Sequence, residues 1–249
     1  MIDYKVLING LAVDAFYSEE CIENIFIPLL KRLTELQRQK NRRILVMLAA
    51  PPGAGKSTLC SFLEKLSKET DGVTPLQAIG MDGFHRRQEY LTCHTTIRDG
   101  KEIKMVEIKG APETFDLDLM KSRIQSITRE NSLGWPIYDR TLHNPVDNAI
   151  EVESDIVLLE GNYLLLNQPG WDEISKYADY TISIVADENQ LRNRLIERKA
   201  LSGNSIEKAT AFVDYSDMVN VKTCLKYSKE ADLTLQVKSD NTIECIGSK

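Results

Sequence analysis

The chain has 249 residues, of which 42% are hydrophobic and 27% charged, with a formal net charge of −6. That length and apolar content allow one elaborated domain with its own buried core, so no disulfide or metal staple is required. The mildly acidic balance gives no global attraction to nucleic acid or to a membrane surface, so an anionic ligand must be held by local features.

Residues 1–42 read as a strand-and-helix extension ahead of a main domain over residues 43–249. Tyr4 to Leu11 is expected to form a strand. Ser18 suits the N-cap of a helix in which Ile22, Ile25, Phe26, Leu29, Leu30, Leu33 and Leu36 recur at helical spacing. The basic cluster Arg38, Lys40, Arg42 and Arg43 reads as a solvated helix end favoured by the helix dipole. Ile44 to Ala49 is an apolar run of the length of a buried strand, followed by a glycine-rich turn and a helix from Ser57 to Lys68. Gln77 to Met81 reads as a second strand, and Gly83 to Gly110 as polar and irregular. A helix is expected from Leu117 to Arg129, a strand from Ile156 to Leu159 that ends in Glu160, and a strand from Tyr180 to Val185. A helix through Arg198, a break at Ser202 to Asn204, a helix from Ile206 to Ser228 and a strand from Leu233 to Val237 complete the chain. Strands alternating with helices imply an α/β fold: three α/β/α layers around a mostly parallel central sheet, with ligands at the carboxyl ends of its strands.

Five scattered cysteines, with no CxxC pair, read as reduced structural thiols. No basic segment leads into an apolar stretch at the amino terminus, and no apolar run has the length of a bilayer span; the expectation is a cytoplasmic protein.

Residues 50–58 read APPGAGKST, a Walker A pattern with Ala50 where glycine is common. Pro52, Gly53, Ala54, Gly55, Lys56, Ser57 and Thr58 are the expected nucleotide-binding residues. Gly53 and Gly55 let the backbone turn its N–H groups toward a phosphate, and the following helix adds its positive end. Lys56 has the reach for β- and γ-phosphates, and Ser57 the hydroxyl for Mg²⁺. Glu160, closing the apolar run of DIVLLEG, is the expected second contributor to the metal shell. The implied ligands are ATP and Mg²⁺.

On the acceptor side, Asp82 follows a short strand in MDGFHRR, where a carboxylate near the phosphate loop could remove a proton from an attacking hydroxyl. An Asp-Gly turn is the plainer reading of the same residues. The segments KGAPETFD (109–116) and PIYDRTLHNP (136–145) supply Lys109, Tyr138, Arg140 and His143, and His85 lies next to Asp82; these are the candidate substrate-binding residues, within an insert over about residues 83–150. Arg86, Arg87, Arg98, Lys101 and Lys104 add positive charge to the same stretch, either as a solvated loop or for an anionic or polyhydroxylated acceptor. A small lid is expected over about residues 192–204. There Arg192 is a candidate nucleotide contact, and Arg194 and Arg198, one helical turn apart, are candidates for neutralising charge on the transferring phosphoryl group. A charged surface helix is the alternative.

The set APPGAGKST, MDGFH, KGAPETFD, PIYDRTLHNP and LLEGNYLLL resembles the superfamily of uridine kinase, phosphoribulokinase and bacterial pantothenate kinase. It is most similar to the subgroup labelled nucleoside/nucleotide kinase-like or fructose-transport-system kinase, over residues 43–237. The resemblance implies a P-loop kinase fold, Asp82 as catalytic base, Glu160 as the acidic Walker B position, and Tyr138 and His143 at places that contact the nucleoside in uridine kinases. Two departures stand out. Arg140 replaces an aromatic residue and Pro145 an arginine, and both weaken the case for pyrimidine recognition. The expected function is ATP-dependent transfer of the γ-phosphoryl group to a hydroxyl of a sugar, sugar derivative or nucleoside. A pantothenate-type kinase and an NTP-hydrolysing switch are the alternatives. The expected partners are ATP and a small-molecule acceptor, with no nucleic acid or membrane; the oligomeric state is open, a homodimer being one option.

Overall fold

In chain order the strands are β1 (Ile2–Ile8), β2 (Leu11–Tyr17), β3 (Ile44–Ala49), β4 (Leu76–Gly80), β5 (Thr95–Arg98), β6 (Lys101–Lys104), β7 (Leu133–Asp139), β8 (Asn144–Val152), β9 (Ile156–Gly161), β10 (Tyr180–Ala186), β11 (Leu233–Val237) and β12 (Ile243–Ser248). The structure is a computed structural model that describes residues 2–8, 10–98 and 100–248. Six strands form the central sheet in the order β12-β11-β10-β3-β9-β4, parallel throughout except for β12 at one edge.

All six side chains of β3 are buried, because a parallel strand with helices on both faces has no solvent side. The two-residue period of a strand divides them between two cores. Ile44, Val46 and Leu48 enter one, which also holds Phe62 and Leu63 of the helix after β3 (Lys56–Glu69) and Leu30 and Leu33 of the amino-terminal helix. Leu45, Met47 and Ala49 enter the other, with Met120, Ile124, Trp135, Tyr163 and Trp171. The three-layer α/β/α arrangement follows directly.

The helix expected after Ser18 is present, with the Ser18 hydroxyl accepting from the Cys21 N–H at 3.0 Å; it continues to residue 40 through a π-helical turn at Ile22–Phe26. The amino-terminal segment differs from expectation in being a hairpin. β1 ends at Ile8 and β2 runs back antiparallel to it; position 9, inside the expected strand, lies outside the described residues. Two further hairpins are β5–β6, inside the stretch Gly83 to Gly110 that reads as irregular and polar, and β7–β8, which carries the segment PIYDRTLHNP. β12 is a further strand that the pattern did not reveal. The basic cluster is more than a solvated helix end. Arg43 donates to the carbonyls of Ile127, Glu130, Asn131 and Ser154 at 2.6 to 3.0 Å, and Arg42 makes a two-pronged pair with Asp179 at 2.6 and 2.8 Å. These guanidiniums clamp loops at the amino-terminal edge of the sheet, where exposed carbonyls would otherwise go unpaired. No helix among the described residues is long and apolar enough to cross a membrane.

The strand order places the site. β9 lies between β3 and β4, with Leu48 and Gly80 both in register with Glu160. The loop after β3, Glu160 at the end of β9 and the turn after β4 therefore converge at one carboxyl edge, although they are more than 100 residues apart at the extremes.

Candidate active site

The loop after β3 enters its helix through Gly53 and Gly55, with φ of 85° and 84°, a region that favours glycine. A Cβ on Gly53 would also sit 3.2 Å from the Leu191 carbonyl oxygen. The first bond of this helix runs from the Leu59 N–H to the Gly55 carbonyl at 3.0 Å. The N–H groups of Lys56, Ser57 and Thr58 precede it at the positive end of a 14-residue helix, a ready cradle for an anion.

Ser57 Oγ donates to Glu160 Oε1 at 2.7 Å, and Lys56 Nζ lies 3.8 Å from Glu160 Oε2. Burial pushes the Glu160 carboxyl above its ordinary value, with the Asp82 charge adding to the rise and Lys56 and the Ser57 hydrogen bond opposing it. A hydroxyl and one carboxylate are hard oxygen donors of the kind Mg²⁺ takes when phosphates and water supply the remaining ligands. Among the described residues there is no group of three or more His, Cys, Asp or Glu side chains able to hold a metal alone. The donor set therefore fits a metal that arrives with the nucleotide.

Asp82 sits in a tight turn at Met81–Phe84 whose flanks are pinned by β7. The Trp135 indole N–H donates to the Gly80 carbonyl at 2.8 Å, and Trp135 packs edge-on against Phe84 with centroids 4.9 Å apart. At Gly83 a Cβ would fall 2.1 Å from the Pro136 carbonyl oxygen, so only glycine allows β7 this close. Crowding by the cleft walls raises the Asp82 carboxyl, although 43% of the side chain remains solvent-exposed; His85, Lys56, Arg140 and Arg198 together outweigh that effect and hold it below its ordinary value. At neutral pH the carboxylate is ionised, and the cations that face it are Lys56, Arg140 and Arg198. His85 Nδ1 contacts the Asp82 carbonyl at 2.8 Å, and burial lowers the imidazole from its ordinary value. A carbonyl only accepts, so Nδ1 carries the proton and the neutral ring leaves Nε2 as an acceptor.

Asp82 and His85 open into a cavity of about 330 Å³. The other sequence-predicted substrate residues, Lys109, Tyr138, Arg140 and His143, line the same cavity. Arg140 lies 3.8 Å from Asp82. Lys109 Nζ donates to Gln88 Oε1 at 2.8 Å and to the His143 carbonyl at 3.0 Å, and lies 4.8 Å from the Tyr138 ring centroid. Of the other basic residues in this stretch, Arg86 pairs with Asp116 and Arg87 with Asp147, which ties them to the scaffold.

The far wall of the cavity is built from residues that the sequence does not single out, although Asn162 lies within LLEGNYLLL. Asn162 follows Glu160 and Gly161, and Asp217 and Asn220 come from the helix over residues 206–227. Asn162 Oδ1 and Asn220 Oδ1 are buried acceptors with no hydrogen-bond donor among the described residues, whereas the equally buried Asp217 Oδ2 is paired with Lys199 Nζ at 3.7 Å. Buried acceptors of this kind are normally satisfied, so the two asparagine oxygens, on residues that line one cavity, are open to hydroxyl donors from a ligand. Asn220, at 2% exposure near the end of the chain, had only its polarity on an otherwise apolar helix face as a signal.

The helix Glu188–Leu201, where the lid is expected, separates its three arginines. Arg198 lines the Asp82 cavity. Arg194 instead donates to the Gly53 carbonyl at 3.1 Å and to Asn241 Oδ1, which places it behind the phosphate loop. Arg192 is held in a two-pronged pair with Asp214 at 2.6 and 2.8 Å, and is not brought together with the phosphate loop.

The profile of the Phosphoribulokinase / Uridine kinase family matches residues 45–244. An Escherichia coli K12 protein, YggC, described as uncharacterized, is 38% identical over 237 residues, covering 95% of this chain and 96% of its own. A Schizosaccharomyces pombe protein with the provisional name uridine kinase C227.14 is 34% identical, covering 84% of this chain and 88% of its own. Among solved structures, a Silicibacter sp. TM1040 protein provisionally described as a fructose transport system kinase superposes with a TM-score of 0.71 at 29% identity, covering 82% of this chain and 98% of its own.

Proposed function

Because the chain belongs to the phosphoribulokinase / uridine kinase family, we propose that it transfers the γ-phosphoryl group of ATP to a hydroxyl of a small polyhydroxylated metabolite, a sugar or sugar derivative in preference to a nucleoside. The observation that carries this reading is the cavity beside the phosphate loop, with ionised Asp82 at its mouth and unpartnered acceptors on its far wall. An NTP-hydrolysing switch has no need of such a cavity.

In this reading the loop N–H groups and Lys56 hold the β- and γ-phosphates. Asp82 accepts the proton of the acceptor hydroxyl as its oxygen bonds to the γ-phosphorus, and the bond to the β-phosphate oxygen breaks to release ADP. Arg198 and Arg140 offset the charge on the transferring group and on the acceptor. Ser57 and Glu160 would hold Mg²⁺, which supplies charge neutralisation on the phosphates. Lys109, neutral His85, Tyr138 and the Asn162–Asp217–Asn220 wall would orient the acceptor's other hydroxyls. Arg140 in place of an aromatic ring suits phosphate, carboxylate or vicinal hydroxyls better than a pyrimidine face.

The test is coupled ADP release against a panel of sugars, sugar acids, sugar phosphates, nucleosides and pantothenate. Stimulation by a sugar-class acceptor supports the proposal. Efficient turnover of uridine or pantothenate alone replaces the acceptor, and ADP release indifferent to every member removes the kinase reading.

A further inference from the structure

The phosphate loop has a cavity on each side. Asp82 and Pro52 face the one already described, so the acceptor belongs there. The second, of about 600 Å³, shares Gly53, Ala54, Gly55 and Thr58 with the loop, a size that suits a small ligand. Its opposite wall comes from the amino-terminal hairpin, which precedes the matched family region at residue 45.

Every residue of β2 from Ala12 to Tyr17 lines this cavity. A strand seen face-on would present alternate residues, so the unbroken run means that the cavity lies along the edge of β2. That edge is free: β2 pairs with β1 alone among the described residues. An unpaired strand edge offers backbone N–H and C=O groups side by side. Two large apolar side chains line the same space while remaining open to solvent, Phe16 at 56% and Leu201 at 78% exposure. The hairpin is also fixed in place. Tyr17 lies on Phe62 of the phosphate-loop helix with centroids 4.3 Å apart, Tyr4 meets the same ring at 5.2 Å, and the Tyr4 hydroxyl and Ser61 Oγ are 2.7 Å apart.

We propose that the hairpin is part of the nucleotide site: the base of the nucleoside triphosphate lies along the free edge of β2, covered by Phe16, while its phosphates occupy the loop. This rests on the phosphotransferase reading, because the loop must hold the phosphates for the base to enter this cavity. Phe16 is then apolar and exposed because its ring awaits a planar partner. The β2 edge supplies a donor and an acceptor for the polar rim of the base, and Asp14 and the Asp240–Thr242 turn are within the same lining for the ribose hydroxyls.

The experiment measures calorimetric affinity for ATP and for inorganic tripolyphosphate in the wild type, Phe16→Ala, Phe16→Trp and Leu7→Ala. Leu7, on β1, is 70% exposed and does not line the cavity, so it controls for loss of any exposed apolar side chain on the hairpin. We expect Phe16→Ala to weaken ATP roughly tenfold, the scale of losing one base–aromatic stack, with Phe16→Trp restoring it. Tripolyphosphate binding, the acceptor KM and the Leu7→Ala protein should be unchanged. ATP affinity equal to wild type in Phe16→Ala overturns the inference, as does an equal loss of ATP and tripolyphosphate, which would mark a general distortion. A wild type that binds neither ligand removes the phosphate-loop reading itself, and the inference with it.

Discussion

Asp82→Asn separates catalysis from architecture. The substitution keeps the shape of the side chain and removes its ability to take a proton. Its stability cost is bounded by the Arg140 pair at 3.8 Å. At an effective dielectric of about 20, two unit charges at that distance interact by roughly 4 kcal/mol. Arg140 is 51% and Asp82 43% exposed, so solvent screening reduces the net contribution to about 1 kcal/mol or less. The catalytic cost is larger: loss of a general base lowers kcat by about 10² to 10⁴, or roughly 3 to 5 kcal/mol of barrier. Nucleotide affinity should hold or tighten slightly, because a negative charge disappears beside Lys56 and Arg198 while a polyanion binds. The assay pairs steady-state kinetics with calorimetric binding of Mg·ATP and a thermal melt. A variant with wild-type kcat refutes the base. So does a collapse of Mg·ATP affinity at full kcat-to-binding correlation, which would make Asp82 a metal-shell group.

Lys56→Ala should lower kcat/KM by about 10³ or more while leaving the melting temperature near wild type, since Lys56 caps no core contact and its partner Glu160 retains the Ser57 hydrogen bond. Near-normal phosphoryl transfer in that variant, followed by product chromatography, would sink the loop mechanism. Arg140→Ala should raise the acceptor KM about 10- to 100-fold, the scale of a charge-assisted hydrogen bond, and the ATP KM far less; equal effects on both would contradict its assignment to the acceptor. Gly83→Ala should destabilise the fold by about 3 kcal/mol or more in urea unfolding, because its Cβ meets the Pro136 backbone, which cannot swing away. Unaltered stability would mean that the β7 clamp on the Asp82 turn is loose.

The parts legible in the sequence are those where one local rule dominates. Ile44–Ala49 reads as buried because six consecutive apolar residues before a glycine-rich turn have few other uses, and Ser18 reads as a cap because its hydroxyl has an N–H to satisfy. The hairpins escaped for different reasons. Between β1 and β2 the Asn-Gly pair at positions 9 and 10, with alternating apolar residues on both sides, is a hairpin signal that competes with the plain extended run from Tyr4 to Leu11. β7 and β8 are amphipathic in a way that polar turn residues conceal: Trp135 and Val152 are fully buried while the turn from Asp139 to Asn144 brings Arg140 and His143 to the Asp82 cavity. The placement of Asp82, Glu160 and Lys56 at one edge of the sheet was legible because strand ends and phosphate loops carry side chains in stereotyped places. Arg192, Arg194 and Arg198 share a helix, yet their partners Asp214, Asn241 and the Asp82 cavity come from three distant segments. Spacing on a helix gives the face of a side chain; only the tertiary fold decides what that face meets. Asp217 and Asn220 were silent for the same reason, and Asn162, though inside LLEGNYLLL, has a role that only the cavity reveals.

The central claim is that the γ-phosphoryl group leaves ATP for an organic hydroxyl held in the Asp82 cavity. γ-Labelled ATP, incubated with the protein, Mg²⁺ and a sugar-class acceptor that stimulates ADP release, tests it most directly when the products are separated. The account predicts label in a phosphorylated acceptor, lost in Asp82→Asn. Label recovered only as inorganic phosphate, at a rate independent of the acceptor, would contradict it.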